Sequence, residues 1–87
     1  MIETQRHHLY RVISKELRNQ DFLYKLGDNL KKIRKEKGLS QEQLGLDAEL
    51  GKNQIGCIER GENNPTICSL VAIAKVLDVE VGELVNV

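Results

Sequence analysis

Apolar residues recur every three or four positions in successive segments of this chain, which is the spacing of a helix that buries one face. The first stripe lies in residues 6–19 and consists of Leu9, Val12, Ile13 and Leu17. Polar residues interrupt the pattern at positions 19–21, and a second helix is predicted from about Phe22 to Lys37, where Gly38 provides a stop. The inner side of this second helix is expected to carry Phe22, Leu23, Leu26, Leu30 and Ile33.

Two short helical patterns follow, with only a few residues between them. Ser40 is a favourable N-cap, and Gln43 three residues later predicts a capping box for a helix that runs to about Ala48. A second pattern covers about residues 52–60 and stops at Gly61. Because neither helix is long enough to be stable alone, the two are expected to pack as an angled helix-turn-helix. The unit is expected to bury Leu44, Ala48, Leu50, Ile55 and Ile58, and the small Gly45 is expected to let the second helix cross close to the first.

The remaining residues predict two more helices. Thr66 is the expected N-cap of the first, whose wide apolar arc consists of Ile67, Leu70, Val71, Ile73, Ala74 and Leu77. This helix is therefore expected to be central and to bury Cys68, whereas Cys57 is expected to be exposed on the preceding one. A short last helix over residues 80–85 is expected to turn Val81 and Leu84 inward and to leave Val85 and Val87 exposed.

Composition narrows the class of protein. A length of 87 residues suits one domain, and an aromatic content of 3% requires an aliphatic core. Helix-forming residues dominate and the chain has one proline, so the predicted fold class is all-α. Cys57 and Cys68 lie eleven positions apart and His7 and His8 are adjacent, so no metal site and no cofactor is predicted. No apolar run has the length of a membrane span or a signal peptide, and the cysteine usage suits a reducing cytoplasm.

Charges cancel over the whole chain but not along it. Residues 25–37 carry six basic and two acidic groups, a net charge of +4, whereas residues 38–87 carry three basic and eight acidic groups, a net charge of −5. A basic segment beside an acidic one can bind phosphate locally although the total is zero. The alternative is that this basic run is a solvated helix face; it contains Lys31, Lys32, Arg34, Lys35 and Lys37. Non-specific DNA affinity is expected to be modest.

Three stretches occur in a characteristic order: LGDNLKKIRKEKGLSQEQL at residues 26–44, IERGENNPT at 58–66 and LVAIAKVLDV at 70–79. Together they resemble the Cro/phage-repressor type (XRE-like) helix-turn-helix family. The resemblance implies a five-helix, lambda-repressor-like DNA-binding bundle at residues 22–87, to which residues 1–21 add an extension with an extra N-terminal helix. Two positions depart from the family pattern. Gly45 stands where Ala is usual, and Glu49 stands where Gly is usual, so Glu49 must either adopt a left-handed conformation, at about 1 kcal/mol, or rearrange the turn locally.

The resemblance also implies functional residues. An Arg at the position of Arg34 pairs in the family with the Glu of the second motif, here Glu59, so an ion pair is expected to hold the helix at 22–37 against the recognition helix at about 52–60. Base contacts are expected from the side of the recognition helix that faces away from the core, at Lys52, Asn53, Gly56 and Cys57. Phosphate contacts are expected from Gln41, Gln54, Arg60, Asn63, Asn64 and Thr66.

These features predict a sequence-specific, DNA-binding transcriptional regulator. No nucleophile, base and orienting group converge in one motif, so an enzyme is not predicted. Because one such module contacts only about four to six base pairs, a homodimer on double-stranded DNA is expected. Its predicted contact is a C-terminal patch of Val81, Leu84, Val85 and Val87, with the extra N-terminal helix beside it. The alternative is an antitoxin-like module that uses the same fold mainly to bind a toxin or another protein partner.

Overall fold

Five α-helices follow one another in the computed structural model, which describes residues 19–87. They are α1 (Asn19–Glu36), α2 (Gln41–Asp47), α3 (Lys52–Glu59), α4 (Ile67–Leu77) and α5 (Val81–Val85). Among residues 19–87 there is no β-strand, so the predicted all-α, five-helix bundle is confirmed. The predicted N-terminal stripe of Leu9, Val12, Ile13 and Leu17 lies outside the described residues.

Helix α1 includes the residues that were expected to interrupt the helical pattern. Asn19, Gln20 and Asp21 are exposed and helical, and the Asp21 carboxylate lies 3.4 Å from the Lys25 amine one turn later. Polar residues do not end a helix when their side chains point to solvent, so the predicted break was wrong. The Gln20 side-chain amide also donates to the carbonyl of Gly61 at 2.8 Å, which ties this first turn to the rest of the domain. The predicted boundary between residues 21 and 22 therefore falls inside α1.

The core is aliphatic, as the composition predicted. Its buried members are Leu26, Leu30, Ile33, Leu44, Ala48, Ile55, Ile58, Leu70, Ile73, Ala74, Leu77 and Leu84. Phe22 belongs to the same stripe of α1 as Leu26 but remains 40% exposed, which contradicts its predicted inward position. Helical spacing identifies the face that a residue lies on but not how far along the helix the neighbouring helices extend.

Helix α4 has a narrower buried face than its sequence suggested. Leu70, Ile73, Ala74 and Leu77 are buried, whereas Ile67 is 64% exposed and Val71 is 36% exposed. Cys68 is also exposed, so the prediction that it is buried was wrong. The reason is geometric: Cys68 lies two residues before Leu70, about 200° around the helix, and therefore faces away from the core.

The predicted helix caps are present with one difference. The hydroxyl oxygens of Ser40 and Thr66 accept from the backbone N–H groups of Gln43 and Ser69, both at 3.0 Å. The side chain of Gln43 does not return to Ser40 but donates to Asp47 at 2.8 Å, so the predicted capping box is only half formed. An i,i+4 partner on the exposed face of α2 competes for the same amide group.

The last helix closes the bundle. Leu84 is fully buried, and the side-chain amide of Asn29 donates to the carbonyls of Glu83 and Leu84 at 2.8 and 3.0 Å, which fixes α5 against α1. Leu84 therefore belongs to the core of its own chain and was wrongly assigned to a C-terminal contact patch. Val85 is half-buried rather than exposed, and Val87 is 46% exposed.

Candidate nucleic-acid interface

Helices α2 and α3 form the angled pair that the sequence predicted, and Gly45 determines how closely they approach. A Cβ atom on Gly45 would lie 2.8 Å from the carbonyl oxygen of Leu50 and 3.2 Å from the backbone nitrogen of Lys52. The turn between the helices depends on Glu49, which adopts the left-handed conformation with φ of 60°. The N–H of Leu50 then closes α2 by donating to the carbonyl of Gly45 at 2.7 Å. Of the two alternatives for Glu49, the left-handed one is observed.

A second close approach places α1 against the end of α3. A Cβ atom on Gly27 would lie 2.6 Å from the carbonyl oxygen of Glu59 and would also meet the carbonyl oxygen of Ile58. Only glycine allows the two backbones to approach so closely. The role of Gly27 is not predictable from the sequence, because a glycine within a helical pattern indicates a close contact without naming the partner.

Arg34 and Glu59 form the ion pair that the resemblance implied. The Nε and Nη2 atoms of Arg34 donate to the two carboxylate oxygens of Glu59 at 2.6 and 3.0 Å, and the side chains are 8% and 2% exposed. The Nη1 atom of Arg34 donates to the carbonyl of Leu39 at 2.8 Å. The hydrogen bonding that Arg34 donates to the Glu59 carboxylate is the main cause that raises the pKa of Arg34 above its usual value. The pair joins α1 to the end of α3 and holds α3 in a fixed direction.

Gln41, at the start of α2, extends this buried pair to the surface. Its side-chain Nε2 donates to an oxygen of Glu59 at 3.0 Å. Its Oε1 lies 3.6 Å from the position that a Cβ of Gly56 would occupy, so the half-buried amide spans α2 and α3. The ion pair therefore orients a side chain that the sequence assigned to phosphate contact.

The outward face of α3 carries most of the residues predicted to contact bases. Lys52 and Asn53 are exposed, and Gln54 and Cys57 are half-buried, so Cys57 is less exposed than predicted. Gly56 is buried, because the Nη1 atom of Arg60 lies only 3.0 Å from the position that its Cβ would occupy. The surface over Gly56 is thus covered by the side chain of Arg60.

Beyond α3, the predicted phosphate-contacting residues follow the helix end. Arg60 caps α3, and the chain then turns at Gly61, where φ is 72°. Asn63 is half-buried and Asn64 is exposed. Thr66 is exposed, but its hydroxyl donates to the Ser69 hydroxyl at 3.0 Å and caps α4.

One ion pair at this surface was not anticipated. The Nε atom of Arg60 donates to Glu62 at 2.9 Å, and its Nη2 atom lies 3.6 Å from the sulfur of Cys57. The hydrogen bond between Arg60 and Glu62 is the main cause that raises the pKa of Arg60 and lowers the pKa of Glu62. Arg60 and Glu62 flank Gly61, outside the helix, so helical spacing does not predict their contact. It becomes visible only in the conformation of the turn.

Within residues 19–87 there is no cluster of three or more side chains suited to hold a metal ion. In the same part of the chain, no helix combines the length and apolar character that crossing a membrane requires.

A sequence model of the Helix-turn-helix family (HTH_3) matches residues 30–84, which is most of the chain. The chain belongs to this family. Among its helix-turn-helix relatives, the HTH-type transcriptional regulator y4dJ of Sinorhizobium fredii is 37% identical over 61 residues, covering 70% of this chain and 79% of that protein. The immunity repressor of Bacillus phage phi105 is 38% identical over 61 residues, covering 70% of this chain but only 42% of the repressor.

A solved helix-turn-helix structure extends the likeness to three dimensions. The restriction-modification controller protein C.AhdI from Aeromonas hydrophila is 39% identical, with a TM-score of 0.70 over 71% of this chain and 94% of that one. The Cro/phage-repressor type family and the lambda-repressor-like fold are thereby confirmed. None of these relatives favours the antitoxin-like alternative.

Proposed function

We propose that this protein is a sequence-specific transcriptional regulator that places α3 in the major groove of double-stranded DNA. The observation that carries the proposal is the division of α3 into two faces. Ile55 and Ile58 are buried, whereas Asn53 is exposed on the opposite side and Lys52 is exposed in the first turn. The major groove is wide enough for a helix, and it presents a distinct donor and acceptor pattern at each base pair.

The base contacts follow from side-chain chemistry. The amide of Asn53 can bind adenine through two hydrogen bonds, and the amine of Lys52 can donate to the O6 and N7 atoms of guanine. Cys57 offers a small apolar surface that suits a thymine methyl group. Gly56 contributes through its missing side chain, which leaves room on the helix for the guanidinium of Arg60.

The proposed phosphate contacts surround this face and set the position of the protein without specifying sequence. They are Gln41, Gln54, Arg60, Asn63, Asn64 and Thr66. Gln41 keeps one amide hydrogen for a phosphate while the other is held by Glu59. In the basic segment, Lys31, Lys32, Lys35 and Lys37 are exposed, whereas Arg34 is committed to its buried pair.

The protein is proposed to bind as a homodimer, with half-sites about 34 Å apart along the duplex. This separation corresponds to one helical turn, so that two copies of α3 enter the groove on the same side of the DNA. Because the proposed ligand is DNA, the proposed location is the cytoplasm and the proposed role is binding rather than catalysis.

Selection of binding sites from a random DNA pool tests the proposal, followed by affinity measurements on the selected site. Asn53→Ala should lower affinity by about 1–3 kcal/mol and relax the preference at one base pair. Asn64→Ala is the matched control, because loss of a phosphate contact weakens binding to all sequences about equally. Failure of the wild-type protein to enrich any sequence would contradict the proposal. A tight complex with a second protein, together with weak and salt-insensitive DNA retention, would favour the antitoxin-like alternative.

A further inference from the structure

The guanidinium of Arg60 lies on the outer surface of α3 instead of extending away from the helix end. Its Nη1 atom is 3.0 Å from the position of an added Cβ on Gly56, and its Nη2 atom is 3.6 Å from the Cys57 sulfur. The amide oxygen of Gln41 borders the same spot. Arg60 therefore lies beside the proposed base-contacting residue Cys57, although its place in the sequence suggested a contact at the edge of the groove.

Glu62 holds the guanidinium in this orientation. Its carboxylate accepts from Nε of Arg60 at 2.9 Å, and its own backbone N–H donates to the carbonyl of Cys57 at 2.9 Å. The intervening Gly61 is fixed as well, because its carbonyl accepts from Gln20 and a Cβ atom on it would lie 2.5 Å from the ring of Tyr24. The carboxylate thus projects from an anchored turn, and its hydrogen bond with Arg60 raises the pKa of Arg60 and lowers the pKa of Glu62, so both shifts favour the charged pair.

A carboxylate on the guanidinium affects the two kinds of DNA contact in opposite ways. Phosphate binding depends on net positive charge. The carboxylate of Glu62 cancels the charge of Arg60 and also repels phosphate. Base recognition depends on the direction of the donors, which Glu62 fixes while leaving N–H groups of Nη1 and Nη2 free. Both side chains are more than half exposed, at 57% and 55%, so DNA can reach them.

We propose that Arg60 reads a guanine in the major groove and that Glu62 is the positioning residue that sets this specificity. The two Nη atoms donate to the O6 and N7 atoms of guanine, a geometry that arginine fits through two parallel hydrogen bonds. The inference rests on the proposed function and replaces the phosphate contact otherwise assigned to Arg60. The missing side chain of Gly56 provides the space in which the guanidinium lies.

Binding of the full chain to its selected site, to variants of that site at each base pair and to random DNA tests the inference at several salt concentrations. Arg60→Lys keeps the charge but loses the two parallel N–H donors of the guanidinium. The preference for one G·C pair should therefore fall about tenfold to hundredfold, while the salt dependence stays the same. Glu62→Ala should relax the preference at the same pair without weakening binding to random DNA. Glu62→Gln keeps an acceptor for Nε and should retain more of that preference than Glu62→Ala.

Asp28→Ala is the matched control for removal of a negative charge. Asp28 is exposed and forms no ion pair or side-chain hydrogen bond within residues 19–87, so its loss should leave every base preference unchanged. The inference is overturned if Arg60→Lys keeps the preference at every position, since Arg60 then contacts phosphate only. It is also overturned if Glu62→Ala tightens all sequences equally, if it changes nothing, or if Glu62→Gln loses as much as Glu62→Ala. Enrichment of no sequence by the wild-type protein would instead remove the proposed function itself.

Discussion

The buried pair of Arg34 and Glu59 is the residue-scale contact on which the direction of α3 depends. Two charges in the interior are costly unless each is matched, and here the carboxylate accepts two hydrogen bonds from Arg34 and one from Gln41. Burial of such a pair adds less stability than it adds geometric definition. Loss of one partner leaves the other charge without compensation, which is far more costly than loss of both.

Replacement of either partner tests this asymmetry. Arg34→Met and Glu59→Ala should each lower the free energy of unfolding by about 3–5 kcal/mol, and the double variant should lose less than the sum. Urea unfolding monitored by circular dichroism measures all three. Lys25→Ala is the control, because the Asp21–Lys25 pair is 58% and 59% exposed and should contribute less than about 1 kcal/mol. Small and additive losses at Arg34 and Glu59 would contradict the proposed coupling.

At the scale of elements, glycines determine how closely the helices cross. Gly27 allows α1 to meet the carbonyls at the end of α3, and Gly45 allows α2 to meet the turn before α3. The recognition helix is therefore held on both sides by backbone contacts, and the ion pair acts beside the first of them.

The crossing at Gly27 makes a sharp prediction. Gly27→Ala places a methyl group 2.6 Å from the carbonyl oxygen of Glu59, so the helices must separate, and the expected loss is about 1–3 kcal/mol of unfolding free energy. Gly82→Ala is the matched control, because nothing lies within 4 Å of its added Cβ and it sits in the helical conformation of α5. That control should be neutral or stabilising by up to about 1 kcal/mol. Thermal unfolding of both variants tests this prediction. If Gly27→Ala were as stable as the wild-type protein, α1 and α3 could move apart without loss.

The sequence was sufficient for the order of the helices, and its resemblance to the family implied the ion pair, but neither predicted the exposure of individual surface residues. Helix ends at Gly38 and Gly61 carry their own conformational signal, since both have positive φ. The exposure of Phe22 and Ile67 depends on where neighbouring helices end, which periodicity does not contain. The contact between Arg60 and Glu62 depends on a turn outside any helix, and for that reason the site was predicted residue by residue without the interaction that orients it.

For the whole molecule, the distribution of charge limits how the domain can bind DNA. The basic segment at residues 25–37 has a net charge of +4, but Arg34 within it is buried against Glu59. Arg34 is therefore not available to displace counterions, so we expect modest affinity for random DNA. The proposed homodimer would raise the affinity for a site by placing two copies of the domain on the same DNA.

The proposed contact between two copies is smaller than the sequence suggested. Leu84 is fully buried in its own chain, so the C-terminal patch reduces to Val81 and Val85, which are half-buried, and Val87, which is 46% exposed. An apolar surface of this size is modest for a stable dimer. The proposed role of the N-terminal segment is to add contact area beside it, and the stripe of Leu9, Val12, Ile13 and Leu17 is the feature of the sequence that motivates this role.

Sedimentation at tens of micromolar tests this arrangement with the full chain, a truncated protein that begins at Asn19, and two charge variants. Asn19 is the appropriate start because the bond from Gln20 to Gly61 is then retained. We expect the full chain to be a dimer and the truncated protein to form a weaker dimer, which dissociates at a higher protein concentration. Val85→Lys should be a monomer, because a charge in the contact has no partner. Ile67→Lys is the control, since Ile67 is 64% exposed on α4 outside the patch and should leave the dimer intact. A dimer that survives Val85→Lys in a folded protein would place the contact elsewhere, and a dimer unchanged by truncation would remove only the role of the N-terminal segment.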